Sequence, residues 1–346
     1  KMLTSSRKEK KGSRTKRLRK FVEKSLYQGS KTGFKVLTKT QKAFQPQAID
    51  KQRLPNQVNK NLFDLSLTEE QQMTVDAMSQ FAEEVLYALA HDADHNAQFP
   101  EQLWQHLVDL GLNYYALPEA LGGVAAEQNI VSNILIAESL AKGDFSLTAG
   151  LLSSFSVINA ITRWGSTQVQ SMYLPVFAED TDVTASFAFQ EATPAFNPFQ
   201  LKTTATEANG QFYITGEKTL VVLGDTADVF LVSAEFNGQP DIFVVQSNES
   251  ISIKANPAMG LKAAETATLQ FNQTPALRLG DSDFDYTAFV DLGNLMWCAM
   301  AIGTCEAIKA YCIKYANERT AFGEPISHRQ SVAFMIADMA IEIDTM

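Results

Sequence analysis

The sequence predicts an α+β fold in three parts: an N-terminal all-α domain, a small antiparallel β domain, and the start of a C-terminal four-helix bundle. Two observations carry that prediction. The hydrophobic period changes twice, from three-to-four residues before Phe177 to strict alternation near Val183, and back to helical spacing after Asp285. Within the alternating part, Asn209-Gly210 and Asn237-Gly238 each separate two alternating runs. That dipeptide is the strongest short-range hairpin signal, because both turn residues must accept positive φ.

Residues 1–60 read as a basic arm and linker, 61–182 as the helical domain, 183–284 as the β domain, and 285–346 as the incomplete bundle. The arm carries 18 of the 29 Lys+Arg with three acids (Glu9, Glu23, Asp50), a net +15 against −25 for the remainder. From Lys8 to Lys20 it is mostly charge, so self-repulsion leaves that stretch without a core. Leu18, Phe21, Val22 and Leu26 then recur at helical spacing among cations, a pattern suited to an anionic membrane surface. A solvated tail, or one folded onto the acidic body, explains the charge equally well. No recognised nucleic-acid-binding motif accompanies it, so nucleic acid is not expected as a partner. Gln45–Asn59, rich in Pro, Gln and Asn, reads as the linker.

In the helical domain, Thr68 and Gln71 have capping-box spacing, and Val75, Met78, Ala82, Val85 and Leu89 follow as one apolar face. A second helix after Pro100 uses Leu103, Leu107 and Leu110 and stops at Gly111, where a left-handed cap is accessible. Further helices are predicted over 130–140, 147–164 and 167–177. In the β domain, runs 201–206 and 211–215 form one hairpin, and 229–234 and 242–246 a second. A helix through Tyr315 and another from Gln330 close the chain. The last presents Val332, Met335, Ile336, Met339 and Ile343, a face that needs further helices to cover it.

Composition narrows the class. Apolar residues make up 45% and charged ones 20%, as in soluble globular proteins. No unbroken apolar run approaches the ~18 residues of a membrane span. The three cysteines, Cys298, Cys305 and Cys312, have no CxxC spacing; they repeat at seven residues and are expected to form a packed seam in a reducing compartment. His91-Asp-Ala-Asp-His95 has metal-compatible spacing but no third ligand, and reads as a solvated helix end; no metal site is assigned. There is no Walker loop, nucleophile elbow or GxGxxG.

Tyr315-Ala-Asn-Glu-Arg-Thr-Ala-Phe-Gly-Glu-Pro-Ile, followed by Gln330-Ser-Val-Ala-Phe-Met-Ile-Ala-Asp-Met, resembles the YAxERxxFGxPI…QxxxFxLADM signature of the acyl-CoA dehydrogenases. Phe99-Pro, Leu110-Gly-Leu, Leu117-Pro-Glu, Ala137-Glu-Ser-Leu-Ala, Trp164-Gly-Ser-Thr and Met259-Gly-Leu-Lys-Ala match in family order, so the resemblance covers roughly residues 66 to 346. The arm resembles, more loosely, the extensions of membrane-associated very-long-chain members.

The resemblance implies FAD, an acyl-CoA substrate, an electron-transfer flavoprotein or similar acceptor, and a homodimer or tetramer, in the cytoplasm or mitochondrial matrix or peripheral on a membrane. The implied reaction is α,β-dehydrogenation to the trans-2-enoyl thioester: a glutamate takes the α-proton and the flavin takes the β-hydride. It places Arg319 on the FAD diphosphate across a subunit boundary, where a planar guanidinium suits two phosphates, Phe322 near the adenine of the neighbouring subunit's cofactor, and Gln330 also on the dinucleotide. The flavin-ring positions fall on Phe189, Gln190, Phe196, Leu220 and Val222, and the substrate positions on Phe196, Asp291 and Asn294.

Several of these depart from the family pattern. Gln190 replaces a threonine, Ala195-Phe196 a Gly-Ser pair, Leu220 a tryptophan and Val222 a threonine. Pro194 and Phe196 are expected to obstruct close backbone approach to a ligand. Glu191 reads as a structural carboxylate. No catalytic residue is assigned: the base position of the branched- and long-chain subgroup falls on Gly293. The alternative reading is therefore a degenerate, non-catalytic binding or scaffold protein with the same architecture.

Overall fold

The computed structural model describes residues 66–123, 130–179 and 183–346. The basic arm, its amphipathic stretch and the 45–59 linker lie outside the described residues. Residues 67–308 form one compact unit; residues 309–346 belong to a second.

The first unit begins with a helical layer. α1 (Glu69–Phe81) starts with the expected reciprocal cap: Gln71 N–H donates to Thr68 Oγ1 (3.1 Å) and Thr68 N–H to Gln71 Oε1 (3.1 Å). The helix runs into α2 (Tyr87–Asn96) through one wide turn at Ala82–Leu86. That turn adds a residue, which rotates the face the sequence implies. Met78, Ala82 and Leu86 are fully buried, while Val85 and Leu89 are only half-buried. α3 (Gln102–Leu110) ends at Gly111 with φ 63°, the left-handed cap its position predicts. α4 (Ile130–Ala141), α5 (Phe145–Trp164) and α6 (Thr167–Glu179) follow. α5 is the core helix. Asp144 caps it by accepting from Leu147 N–H at 2.8 Å, and fourteen of its twenty residues are buried, which places it inside the layer rather than on its surface.

The β domain has seven strands: β1 (Ala185–Ala188), β2 (Thr204–Ala208), β3 (Gln211–Val221), β4 (Val229–Phe236), β5 (Gln239–Gln246), β6 (Ile251–Ala255) and β7 (Ala267–Arg278). Both Asn-Gly hairpins form, with φ of 55° and 78° at Asn209-Gly210 and 53° and 80° at Asn237-Gly238. The sheet is not wholly antiparallel. β1 pairs with β4 in parallel, and β2 makes one parallel bridge to β4 at Thr204–Glu235. Through β4–β5, β5–β7, β7–β3 and β3–β2 the sheet then curls back on itself, with β1 and β6 each paired along one side only. β4 and β5 are therefore buried on both faces. Leu231, Ile242 and Val244 meet the helical core, while Phe230, Val232, Phe243 and Val245 fill the interior of the curled sheet.

α7 (Tyr286–Glu318) is a single 33-residue helix. By length and composition both α5 and α7 could cross a membrane, a property no unbroken apolar run in the sequence displays. α5 is instead a buried core helix. The cysteine stripe on α7 is not a packed seam: Cys298 is exposed and Cys305 and Cys312 are half-buried, so spacing alone did not place that face. Gly303 of α7 is a packing glycine, since a Cβ there would stand 2.0 Å from the Glu138 carbonyl oxygen of α4. In the second unit a short hairpin, β8 (Thr320–Ala321) and β9 (Glu324–Pro325), precedes α8 (Gln330–Thr345).

Replacing Thr68 with Ala removes one half of the reciprocal cap and should lower stability by about 1 kcal/mol, read as a lower urea midpoint at unchanged slope.

Candidate functional site

The end of β1 leads directly into the site. Beyond Ala188 the chain runs through Phe189, Gln190 and Glu191, turns back at 193–199, and re-enters the sheet at β2. A buried ion pair holds this segment. Lys218 Nζ of β3, with no exposed surface, lies 2.9 Å from Glu191 Oε1 and also donates to Phe189 O (3.1 Å) and Ser233 Oγ (2.9 Å). The Glu191 carboxylate accepts Lys202 N–H and Thr203 N–H, each at 2.9 Å, and Ser233 Oγ donates to Phe189 O at 3.0 Å. Thr219 N–H donates to Gln190 O at 2.8 Å. Burial pulls the Lys218 ammonium down to about 8, against the attraction of Glu191. For Glu191, burial pushes upward, but the Lys218 ammonium and the Thr203 and Lys202 amides more than offset it and hold the carboxyl below its ordinary value.

In front of this anchored segment lies a cavity of ≈ 400 Å³. α4 contributes Asn133; α5 contributes Phe155, Asn159 and Trp164; the β1 end and its loop contribute Phe187, Phe189, Gln190 and Phe196; α7 contributes Phe289, Gly293, Asn294 and Trp297. Among the described residues, none in the lining is acidic or basic. The rings hold one another mostly edge to face: Phe187–Phe289 at 5.7 Å and 70°, Phe189–Phe196 at 6.0 Å and 83°, Trp164–Phe289 at 5.2 Å and 59°. Tyr286 backs this cluster and donates its hydroxyl to Pro198 O at 2.8 Å; burial, with Asp241 and Glu191 nearby, raises its pKa. Among the polar lining groups, Asn133 Nδ2 donates to Asn159 Oδ1 (3.0 Å) and Asn159 Nδ2 to Phe155 O (2.9 Å).

The structure brings Phe189, Gln190, Phe196 and Asn294 together around this cavity. Leu220 and Val222 are not in its lining. Leu220 sits in a bulge of β3 at φ 53°, with its side chain 40% exposed. Val222 packs on the helical core, and its carbonyl accepts Ser186 Oγ at 2.6 Å. Asp291 is exposed outside the lining. Ala195 holds φ 51°, so the left-handed conformation is kept at a position where the family pattern has glycine. Phe289 and Trp297 were not singled out by sequence reasoning, and Trp164 was noted there only within a family motif. An aromatic stripe at helical spacing reads as ordinary core until the helices are placed.

The second unit carries the remaining predicted residues. Arg319, Phe322 and Gln330 are all exposed. Phe322 and Gly323 form the turn of the β8–β9 hairpin at φ 57° and 86°. The ring of Phe322 is covered by Arg329, whose guanidinium carbon lies 4.9 Å from its centroid and whose Nη2 donates to Ala321 O at 3.3 Å. Ile326 N–H donates to Arg319 O at 2.9 Å and fixes the backbone there.

The described chain is thus a helical layer, a curled β domain and a helical C-terminal segment, with a neutral aromatic cavity bounded by the first two and the start of α7. Family models of the acyl-CoA dehydrogenase N-terminal, middle and C-terminal domains match residues 68–181, 186–274 and 287–346. The chain belongs to the acyl-CoA dehydrogenase family. It is similar to an acyl-CoA dehydrogenase of Bacillus subtilis, 28% identical over 292 residues, which cover 80% of this chain and 76% of that one. Among solved structures it is similar to butyryl-CoA dehydrogenase from Megasphaera elsdenii, with a TM-score of 0.73, 25% identity, and coverage of 82% and 78%. The fold also matches an FAD complex of PigA at a TM-score of 0.72 and 21% identity, covering 82% and 77%.

Glu191→Gln should cost about 3–5 kcal/mol near neutral pH, because it leaves the Lys218 ammonium buried without its counter-charge. The pH profile gives the sign. A carboxyl held below 4.5 in the fold contributes stability that is present above 4.5 and lost as pH falls through its lowered value. The difference in urea midpoint between wild type and Glu191→Gln should therefore shrink on acidification below 4.5; a constant difference would contradict the role given to this carboxylate.

Proposed function

We propose that this protein takes an acyl-CoA thioester into the ≈ 400 Å³ cavity and, with FAD bound, removes hydrogen from its α and β carbons to leave a trans-2-enoyl thioester. The observation that supports this reading is the meeting of Phe189, Gln190, Phe196 and Asn294 at one uncharged, aromatic-walled cavity in a chain of this family. Such a cavity suits an apolar acyl group and excludes water from it.

The fit to FAD rests on the donor set. Gln190 carries a carboxamide at the cavity edge, with no side-chain partner among the described residues, and offers both the acceptor and the donor that an imide edge takes. Leu220, exposed on its bulge, offers an apolar cover for a flat ring. Val222 brings no hydroxyl, so the recognition falls on the amide. In the second unit, Arg319 would meet the diphosphate and Phe322 the adenine of a neighbouring subunit's FAD, with Gln330 also on the dinucleotide. Bound FAD supplies the hydride acceptor, and an electron-transfer flavoprotein or similar carrier would take the electrons onward. The chain's own cavity residues bind and orient the acyl group and keep water out. None of them ionises, and the α-proton base is not assigned to any of them.

That last observation favours a second reading: a binding protein that holds an acyl thioester without oxidising it. Visible spectroscopy of the purified full-length protein separates the two. A yellow protein whose absorption bleaches on addition of an acyl-CoA is the expected result. A colourless protein that FAD does not reconstitute, yet which binds acyl-CoA, overturns the oxidation and leaves the second reading.

We also propose that the basic arm docks on an anionic membrane surface, as its net +15 suggests. Removing residues 1–44 should abolish salt-sensitive cosedimentation with phosphatidylserine vesicles; unchanged cosedimentation would remove the arm from that role.

A further inference from the structure

Two glycines of α7 have opposite reasons for being glycine. A Cβ at Gly303 would stand 2.0 Å from a backbone oxygen, so close packing demands its absence. A Cβ at Gly293 would meet nothing within 4 Å, and its φ lies outside the left-handed region. Gly293 sits in the eighth position of a 33-residue helix, where glycine is disfavoured relative to alanine. Neither packing nor backbone geometry asks for it. What it does provide is room, because Gly293 lines the cavity.

The space so opened faces rigid aromatic walls. Phe289 is 6% exposed and engages Phe187, Trp164 and Phe284 at 5.7, 5.2 and 5.9 Å, so it cannot turn aside to fit a ligand. A flexible alkyl chain entering such a space gains burial but loses rotor freedom, whereas a ring gains burial and edge or face pairing with few rotors to freeze. With no charged side chain among the described lining residues, a terminal carboxylate would be held without a counter-ion from them.

We infer that this cavity selects acyl groups that carry a ring and no charge, and that Gly293 is the specificity-determining residue that makes it wide enough. This deepens the acyl-thioester reading above and rests on it. Calorimetric titration of the full-length protein tests both. The ligands are free coenzyme A, cyclohexanecarbonyl-CoA and 3-phenylpropionyl-CoA, a straight-chain acyl-CoA matched in carbon number to each, and glutaryl-CoA.

Each ring-bearing thioester should bind about tenfold tighter than its straight-chain match, or ~1.4 kcal/mol. Glutaryl-CoA should bind no tighter than coenzyme A. Gly293→Leu should erase the ring advantage while leaving the thermal midpoint unchanged or higher. Straight-chain ligands binding equally well or tighter, glutaryl-CoA binding tighter than coenzyme A, or a ring advantage that survives in folded Gly293→Leu would each overturn the inference and leave the acyl-thioester reading standing. If no acyl-CoA binds more tightly than coenzyme A itself, the acyl-thioester reading falls and takes the ring selectivity with it.

Discussion

The buried pair of Lys218 and Glu191, 2.9 Å apart, is the constraint on which the site depends. Taking two charges out of water is costly, and a pair of this kind is weak support for stability by itself. Its value here lies in what it joins. Lys218 reaches from β3 to the carbonyl at the end of β1 and to Ser233 of β4, while Glu191 gathers the amides of 202 and 203 just before β2. Four segments that the β1–β4 and β2–β3 ladders already bring near one another are thereby tied together at a single buried point. The Phe189 and Gln190 backbone, held from one side, can present its side chains to the cavity on the other.

Backbone conformation tells a related story. Ala195, Leu220 and Phe322 all have φ between 51° and 57°, a region costly for residues with a Cβ. Leu220 and Phe322 stand at positions that the family resemblance gives to the cofactor, and Ala195 lies beside Phe196, which it also gives to the cofactor. Strain of this kind persists only where the surroundings over-determine it, and it gathers at sites that must hold a fixed geometry. At Ala195 the turn takes the left-handed conformation with a residue that carries a Cβ. The loop shape is therefore enforced from outside, by Glu191 and its two amide donors, rather than by local preference.

The sequence made the architecture legible where local chemistry and tertiary structure agree. Thr68 with Gln71, Gly111, and the two Asn-Gly turns each specify their own backbone, and all four formed as read. What escaped were features set by neighbours far along the chain. The wide turn at Ala82–Leu86 carries no residue signature, so the apolar face beyond Ala82 was read one position out of phase, at Val85 instead of Leu86. The parallel β1–β4 pairing joins strands some forty residues apart, and period-2 alternation is blind to strand direction. At the site, Phe189, Gln190, Phe196 and Asn294 could be named from motif position. Their assembly with Phe289 and Trp297 could not, since those aromatic residues on α7 look like any core stripe until the helix is set against β1.

The chemistry of a neutral cavity sets its own demands. An α-proton becomes acidic only as negative charge develops on the thioester carbonyl oxygen, and an uncharged site must meet that charge with oriented hydrogen-bond donors. Asn133 and Asn159 are engaged with each other and with the Phe155 carbonyl. Gln190 and Asn294 have no side-chain partner among the described residues, which leaves their amide N–H groups available to a ligand. An amide donor is weak in water and stronger where the dielectric is low. Gln190 and Asn294 are exposed in the free protein, so this gain arises only when a bound acyl group covers them against the aromatic walls. The same walls that narrow the choice of acyl group are thus what would let two neutral amides act on its carbonyl, so selectivity and polarisation arise from one packing arrangement rather than from separate parts of the site.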